Sequence, residues 1–467
     1  MMTLPPEFIT RTQDLLGPEA FASFVDALKE EPPVSIRINR SKGIEPPEHE
    51  AVAWCDTGYY LPERPSFTFD PLFHAGTYYV QEASSMFLEQ AIRQYVHEPV
   101  CCLDLCAAPG GKSTHLSSLL PEGSLLVSNE VIRSRSHILA ENLSKWGHPN
   151  TIVTQNDPAE IGRLTHLFDL IVTDVPCSGE GMFRKDPESI NEWSVANVNL
   201  CAARQRRILQ DVWEALKPGG LLIYSTCTYN TEENEENIQY LIEALEAEAL
   251  PIAVNDAWNV SGPLKHDNPV YRFFPHKTRG EGFFLAVVRK AEAVVQTVRY
   301  RAKNKKEKGK VTPTLPLSVK DWLADPTTFQ WHFQQEKLLA IPAAWFDTYR
   351  LLADALRIVS AGIALGEVKG KDFIPDHALA ISHAFRREAF PAIELSRNDA
   401  IRYLQKETFP LPEGTEKGYV LLTYQNHPLG FVKNLGNRAN NLYPAEWRIR
   451  SSYVPTEDTE SLPSHMK

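Results

Sequence analysis

The strongest constraint on this chain lies between residues 98 and 225, where short apolar runs alternate with helical patterns. Strands are predicted at 100–105, 124–128, 151–154, 167–173 and 221–225. Helices are predicted over 112–120, through Glu141 and Leu143, and over 204–216. The last helix is expected to stop at Lys217-Pro218-Gly219-Gly220, a basic residue followed by Pro and Gly. Strands alternating with helices pair in parallel, with helices on both faces of the sheet. In such sheets ligands bind beyond the carboxyl ends of the strands. Residues 271–275 and 282–289 read as an antiparallel pair that finishes the sheet.

The chain's 467 residues suggest three domains at roughly 150 residues each. Near the start, Phe8, Ile9, Leu15 and Leu16 mark one short helix, and Phe21, Phe24, Val25 and Leu28 a second, ended by Pro32-Pro33. Residues 34–39 alternate apolar and polar, as a strand does. The expected division is a small α/β extension at 1–75, a catalytic domain at 76–290 and a basic linker at 291–312. A helical region at 313–392 and a β-rich domain at 393–467 follow. In the linker, Arg299, Arg301, Lys303, Lys305, Lys306, Lys308 and Lys310 face the single acid Glu307. That run reads equally as a solvated connector or an RNA-backbone contact. Residues 420–424 and 429–432 flank a short turn and predict a hairpin.

Composition excludes several classes. No apolar run approaches the roughly 20 residues that span a bilayer, and the start lacks a basic segment followed by an apolar one. A cytoplasmic protein is expected, with no membrane partner. The seven cysteines, Cys55, Cys101, Cys102, Cys106, Cys177, Cys201 and Cys227, are odd in number and irregular in spacing. They suit reduced thiols better than disulfides or a zinc site, so no metal is expected. The net charge of −11 argues against a non-specific nucleic-acid coat, though a local basic track remains compatible with it.

Chemistry is concentrated at the predicted strand ends. Asp104-Leu105-Cys106-Ala107-Ala108-Pro109-Gly110-Gly111-Lys112 joins a strand to a helix. Its glycines let the backbone approach a ligand, and the helix start offers free N–H groups. The glycine spacing is wrong for a phosphate loop, although Gly111-Lys112-Ser113 mimics the end of one. A plain tight turn is the bland alternative. The next strand ends at Ser128-Asn129-Glu130, about 20 positions on, where an acid suits ribose hydroxyls. The third ends at Gln155-Asn156-Asp157, whose acid suits an adenine amino group. One such acid is usually a solvated cap; two behind a Gly loop favour a nucleoside. The fourth strand runs into Asp174-Val175-Pro176-Cys177-Ser178-Gly179-Glu180-Gly181, and the fifth into Ser225-Thr226-Cys227-Thr228. Free cysteines are usually buried fillers, as expected for Cys101, Cys102 and Cys201. Cys177 and Cys227 differ in falling just past strand ends.

These segments resemble the RNA cytosine-C5 methyltransferases of the nucleolar-protein/Sun family, bacterial ribosomal enzymes included. The match lies in 106–112, 174–181 and Thr226-Cys227. It extends to Gly76-Thr77-Tyr78-Tyr79-Val80-Gln81-Glu82-Ala83-Ser84-Ser85-Met86, Arg272-Phe273-Phe274-Pro275-His276 and Gly280-Glu281-Gly282-Phe283-Phe284. The resemblance spans about residues 35–290. It implies an α/β, Rossmann-like S-adenosylmethionine-dependent sheet. The implied cofactor set is Cys106, Ala107, Ala108, Pro109, Gly110, Gly111, Lys112, Glu130, Arg135, Asp157 and Asp174. Carbon 5 of cytosine is too electron-poor to take a methyl group until a thiolate adds to carbon 6. Motif chemistry alone, by analogy with DNA methyltransferases, would choose the Pro-Cys thiol Cys177 as that nucleophile. The resemblance instead assigns attack to Cys227 and release to Cys177. It also implies Asp174 on the base's nitrogen edge, and Lys112 on either the cofactor carboxylate or the base.

The target base must leave its stack to react. Tyr78, Tyr79, Phe183 and Tyr229 are candidates to stack on it. Residues 362–367, 375–380, 428–431 and 437–444 resemble the C-terminal region of the small-subunit ribosomal RNA subgroup. That likeness implies an α+β region ending in a small β-barrel-like RNA-binding domain. The expected partner is small-subunit ribosomal RNA or the 30S particle, not DNA, bound by a monomer. A transfer-RNA cytosine methyltransferase would carry the same motifs. A non-catalytic ribosome-assembly factor would be expected to lose Cys177, Cys227 or Asp174.

Overall fold

The computed structural model describes residues 3–292, 317–370 and 372–451. The basic run at 299–310 lies outside them. The first unit holds α1 (Pro6–Leu16), α2 (Pro18–Ala27), β1 (Val34–Ile38), β2 (Gly58–Leu61), α3 (Pro71–His74) and β3 (Tyr78–Val80). β1 lies between β2 and β3, antiparallel to both. Since β3 belongs to this sheet, the boundary expected at residue 75 falls inside it.

The central unit follows with α4 (Leu88–Tyr95), β4 (Cys101–Asp104), α5 (Gly111–Leu119), β5 (Leu125–Asn129), α6 (Arg133–Trp146), β6 (Thr151–Thr154) and α7 (Pro158–Gly162). It continues with β7 (Phe168–Asp174), α8 (Glu188–Glu192), α9 (Val195–Val212), β8 (Leu216–Thr226), α10 (Glu235–Leu245), β9 (Glu248–Leu250), β10 (Tyr271–Phe273) and β11 (Phe283–Arg289). The last part comprises β12 (Phe329–Gln334), β13 (Lys337–Pro342), α11 (Phe346–Ala355), β14 (Ile358–Ala361), β15 (Ile363–Lys369), β16 (Asp372–Pro375) and α12 (His377–Ile381). It closes with β17 (Ala392–Glu394), α13 (Arg397–Leu404), β18 (Gly418–Tyr424), β19 (His427–Asn434) and β20 (Ala439–Asn441).

The large sheet runs β10-β11-β8-β7-β4-β5-β6-β14, with β9 also pairing β11. β4 to β8 are parallel, and β11 and β10 close one edge antiparallel, as the sequence predicts. β4, β5 and β6 are buried along their whole length, so their apolar runs are continuous rather than alternating. The chain order reverses at β4, which lies between β5 and β7. That switch point opens a crevice at the strands' carboxyl ends, where the Gly-rich turn emerges.

Three expectations change. The Lys217–Gly220 segment is not a helix stop, because α9 ends at Val212 and β8 already begins at Leu216. The segment forms an irregularity in the β7–β8 pairing, and Gly219 and Gly220 exchange backbone hydrogen bonds with Lys290 beyond β11. Pro and Gly mark a bulge as readily as a cap. Residues 313–392 are not mainly helical; their described part builds the four-stranded sheet β12-β13-β15-β16. Short apolar runs such as 338–341 do not distinguish a strand from a buried helix. β14 leaves that region altogether and pairs antiparallel with β6. Finally, β17-β18-β19-β20 is an open sheet, not a closed barrel, and contains the expected hairpin β18–β19.

The units share cores. Leu339, Ile341, Tyr349 and Leu352 pack with Leu105, Val127 and Ile171 of the central sheet. Ile36 and Ile38 of the first unit pack with Tyr403, Leu422 and Val432 near the other end of the chain. At about 1.5–3 kcal/mol for each large apolar side chain buried, these contacts make the described regions one packed body. Among the described residues, no helix is long and apolar enough to cross a membrane.

Candidate active site

The Gly-rich turn follows β4 on the crevice side. Ala107 N–H donates to Asn129 O at 2.9 Å, tying the turn to the end of β5. Gly110 adopts φ +120°, and a Cβ there would come 3.3 Å from Leu139 and 3.4 Å from Asn142. Both the backbone angle and the space favour glycine. Gly111 then opens α5, whose first N–H groups have no partner within the helix. Asn142 Nδ2 donates to Pro109 O and Arg135 Nη2 to Ala108 O, both at 2.8 Å. Arg135 therefore supports the turn through its backbone. Cys106 accepts a weak hydrogen bond from Thr173 at 3.8 Å, and burial pushes its thiol up to about 12. It is a neutral wall of the crevice.

Glu130 follows β5 and is buried. Its Oε1 accepts from Ile132 N at 2.9 Å, and its Oε2 lies 3.5 Å from Arg135. The exposed apolar side chains of Val131 and Ile132 come next. Asp157 differs, being exposed and forming the N-cap of α7 in a capping box with Glu160. Its sequence context supports both a cap and a ligand contact, and the cap is the role its hydrogen bonds display. The crevice thus offers close backbone approach, a helix start and a buried acid, a set that fits an adenosyl group carrying a charged amino-acid tail. Buried Asp104, at the foot of the turn, accepts from Ser113 Oγ at 2.7 Å, and burial raises its carboxyl to about 7.

The predicted catalytic groups stand beside it. Lys112 Nζ lies 2.8 Å from Asp174 Oδ2, and Ser225 Oγ donates to Asp174 Oδ1 at 3.0 Å. Burial alone would lower the Lys112 ammonium, but the charge and hydrogen bond of Asp174 outweigh it and raise it overall. The parallel register places Asp174 opposite Ser225, so Cys177 and Cys227 leave neighbouring strands. Their sulfurs are 3.2 Å apart, both as free thiols. The Cys227 sulfur, followed by burial, holds the Cys177 thiol well above its ordinary range. Cys101, Cys102 and Cys201 are buried fillers, as expected.

Of the four aromatic candidates, three are unavailable. Phe183 and Tyr229 are buried with Phe8, Phe24 and Trp193. Tyr78 is buried and donates to Asp70 at 2.7 Å. Only Tyr79, beside Gly111, keeps partial exposure. Two clefts, of about 890 and 840 Å³, lie along residues 254–277 and around 30–34, 61–64 and 184–185, and contain none of the crevice residues. Cys55, Glu89 and His115 form a buried group, already hydrogen-bonded internally and flanked by Arg93.

Sequence reading missed a set of buried polar residues behind the thiols: Glu180, Gln205, Asn230 and Glu233. Glu180 lay within a recognised segment, and the polar run 230–237 after a strand end was the one available signal. Their partners are set by loops that meet only in the fold.

Comparison with known proteins bears on the family and the fold. Three family models fit the chain: 16S rRNA methyltransferase RsmB/F at residues 94–289, the N-terminal domain of 16S rRNA methyltransferase RsmF at 4–83, and the methyltransferase RsmF PUA domain at 390–449. The ribosomal RNA small subunit methyltransferase F of Salmonella arizonae is 32% identical, covering 85% of this chain and 84% of that protein. Its namesake from Pectobacterium atrosepticum is 31% identical over 95% and 96% of the two chains. A methyltransferase homolog protein from Pyrococcus horikoshii superposes with a TM-score of 0.50 at 28% identity, covering 62% of this chain and 100% of that one. NSun6 from the same organism, crystallised with SFG, shares the fold at 20% identity, with a TM-score of 0.53 and coverage of 62% and 100%. With matches of this extent to both sequence and fold, the chain belongs to the RsmB/F family of 16S rRNA methyltransferases and is an S-adenosylmethionine-dependent RNA methyltransferase.

Proposed function

We propose that this protein methylates carbon 5 of a cytosine in 16S ribosomal RNA, through a covalent adduct between Cys227 and carbon 6 of the base. The observation that carries this reading is the pair of free thiols 3.2 Å apart beside the Lys112–Asp174 ion pair. Bound S-adenosylmethionine supplies an electrophilic methyl group. The turn 106–111, Glu130 and Arg135 hold or support it, and Asp157 lies at the crevice rim. The Cys227 thiol gives up its proton to solvent, and its sulfur bonds to carbon 6 as the electrons of the 5,6 double bond shift towards carbon 5, which becomes nucleophilic. Asp174, paired with Lys112 at 2.8 Å, orients the nitrogen edge of the base. After transfer, Cys177 takes the proton from carbon 5, and the electrons of that C–H bond re-form the ring double bond as the Cys227–carbon 6 bond breaks. In the resting site Cys177 holds its proton chiefly because of the neighbouring Cys227 sulfur. Once that sulfur is bound to carbon this load is lifted, so Cys177 can release its own proton to solvent and stand as the thiolate that accepts the proton from carbon 5.

RNA capture is assigned to the C-terminal PUA-like unit, with a monomer acting in the cytoplasm on the ribosomal RNA or the 30S particle. The test separates the thiols. Cys227→Ala should yield neither methylated RNA nor a covalent complex. Cys177→Ala should trap protein on RNA as a slow band on a denaturing gel. The opposite pattern would reverse the two roles.

A further inference from the structure

Neither thiol stands on a strand. Cys177 lies three residues past β7 and Cys227 one past β8, on loops that could drift apart. Two buried carboxylates tie these loops together. Glu180, on the Cys177 loop, reaches across to the Cys227 loop, where its Oε2 accepts from Thr228 Oγ1 at 2.6 Å, Tyr229 N at 2.7 Å and Asn230 N at 2.9 Å. Its Oε1 accepts from Trp193 Nε1 at 2.9 Å and Asn230 Nδ2 at 3.1 Å. Glu233, past Cys227, reaches back. Its Oε2 accepts from Ser178 N, the residue after Cys177, at 3.0 Å and from Gln205 Nε2 at 2.7 Å, and its Oε1 from Asn230 Nδ2 at 2.8 Å. Gly181 N–H donates to Cys227 O at 2.8 Å, and a Cβ there would sit 2.7 Å from that oxygen. Glu180 is 2% exposed and Glu233 0%.

We propose that Glu180 and Glu233 act as a reciprocal clamp that fixes the spacing of the two thiols and so couples attack to release; they are positioning residues for the second half of the reaction. This rests on the assignment of attack to Cys227 and release to Cys177. The two thiols act on adjacent ring atoms, so release needs both loops to keep their register after the first sulfur is bound. A carboxylate suits the task because it accepts from every side. An amide of the same shape turns a donor towards N–H groups that are already donors, and such small misplacements cost up to about a hundredfold in rate.

The test uses the full-length protein as wild type, Glu180→Gln, Glu233→Gln and Cys177→Ala. Diamide, which takes two electrons and two protons from a thiol pair as the S–S bond forms, reads the distance, with Cys177→Ala as the blank. Denaturing gels with S-adenosylmethionine and small-subunit ribosomal RNA read the adduct. Both glutamine variants should bind cofactor as wild type does, form the disulfide about tenfold more slowly and accumulate methylated adduct as Cys177→Ala does. Wild-type disulfide rates and turnover in both would overturn the clamp, as would lost turnover with neither slower disulfide formation nor adduct. If Glu180→Gln does not fold, Glu233→Gln decides by the same readouts; if neither folds, the pair is a folding element and the proposal fails. Absence of adduct in Cys177→Ala would sink the thiol assignment, while the disulfide rates would still judge the clamp.

Discussion

Glu130 is the proposed cofactor contact most open to test at the scale of single residues. It is buried, and only one of its oxygens is taken up by a backbone N–H, that of Ile132. Replacing it with Ala should weaken S-adenosylmethionine binding by calorimetry by about 1.5–3 kcal/mol, the worth of hydrogen bonds to a charged group. Unchanged affinity would remove Glu130 from the ribose assignment. Lys112 shows how one pairing narrows an ambiguous residue. Its ammonium is paired with Asp174 at 2.8 Å, so in the proposed reaction it would position that carboxylate whichever ligand it also meets.

At the level of elements, turn chemistry decides how well the last sheet is made. β18 and β19 are joined through Gln425 and Asn426, at φ +48° and +62°. Two consecutive left-handed residues favour Asn-Gly, and a side chain in that region costs roughly 1–2 kcal/mol. Asn426→Gly should therefore stabilise the protein by about 1 kcal/mol in a denaturant or thermal melt, allowing for the greater freedom of glycine in the unfolded chain. No gain would mean that the hairpin is held by its surroundings rather than its turn. The same scale explains the misread 313–392 region. Phe329, Trp331 and Phe333 alternate along β12, while the shorter runs around them fit either periodicity, and β14 finds its partner only in the central sheet.

Across the whole molecule, the seam between the C-terminal units and the rest is lined with buried and half-buried histidines. Burial holds His74, His377 and His383 down to about 3, and His427 down to about 4. Their folded values lie below the ordinary 6.5, so their contribution to stability is complete above about pH 6.5 and is lost as pH falls towards 3–4. Asp104 works in the opposite sense. Its raised value makes stability decline as pH rises from 3.8 to about 7, and burial raises Asp70, Glu233 and Glu281 as well, but the four seam imidazoles, joined by His115, His148 and His276, which burial also lowers, are the larger set. The melting temperature should therefore fall on acidification below pH 6, with the fluorescence of Trp447, packed 5.2 Å from His377, changing in the same range. A flat profile from pH 6 to 4 would show that these histidines do not hold the seam.

The order of strands and helices from 98 to 225, the cofactor turn, and the emergence of both thiols at strand ends follow from local pattern and short motifs. Strand runs, Gly-rich turns and caps are properties of neighbouring residues, so the sequence alone determined them. Fold class and reaction were legible for that reason. Tertiary structure alone decided which aromatics stay open, since Phe183 and Tyr229 are filled in by α1 and α2 from far along the chain. It likewise made Asp157 a cap, carried β14 into the catalytic sheet and placed Glu180 against residues 228–230. Each of these depends on packing and hydrogen bonding between segments that no sequence spacing relates, because a buried polar group takes its partner from whichever segment the fold brings beside it.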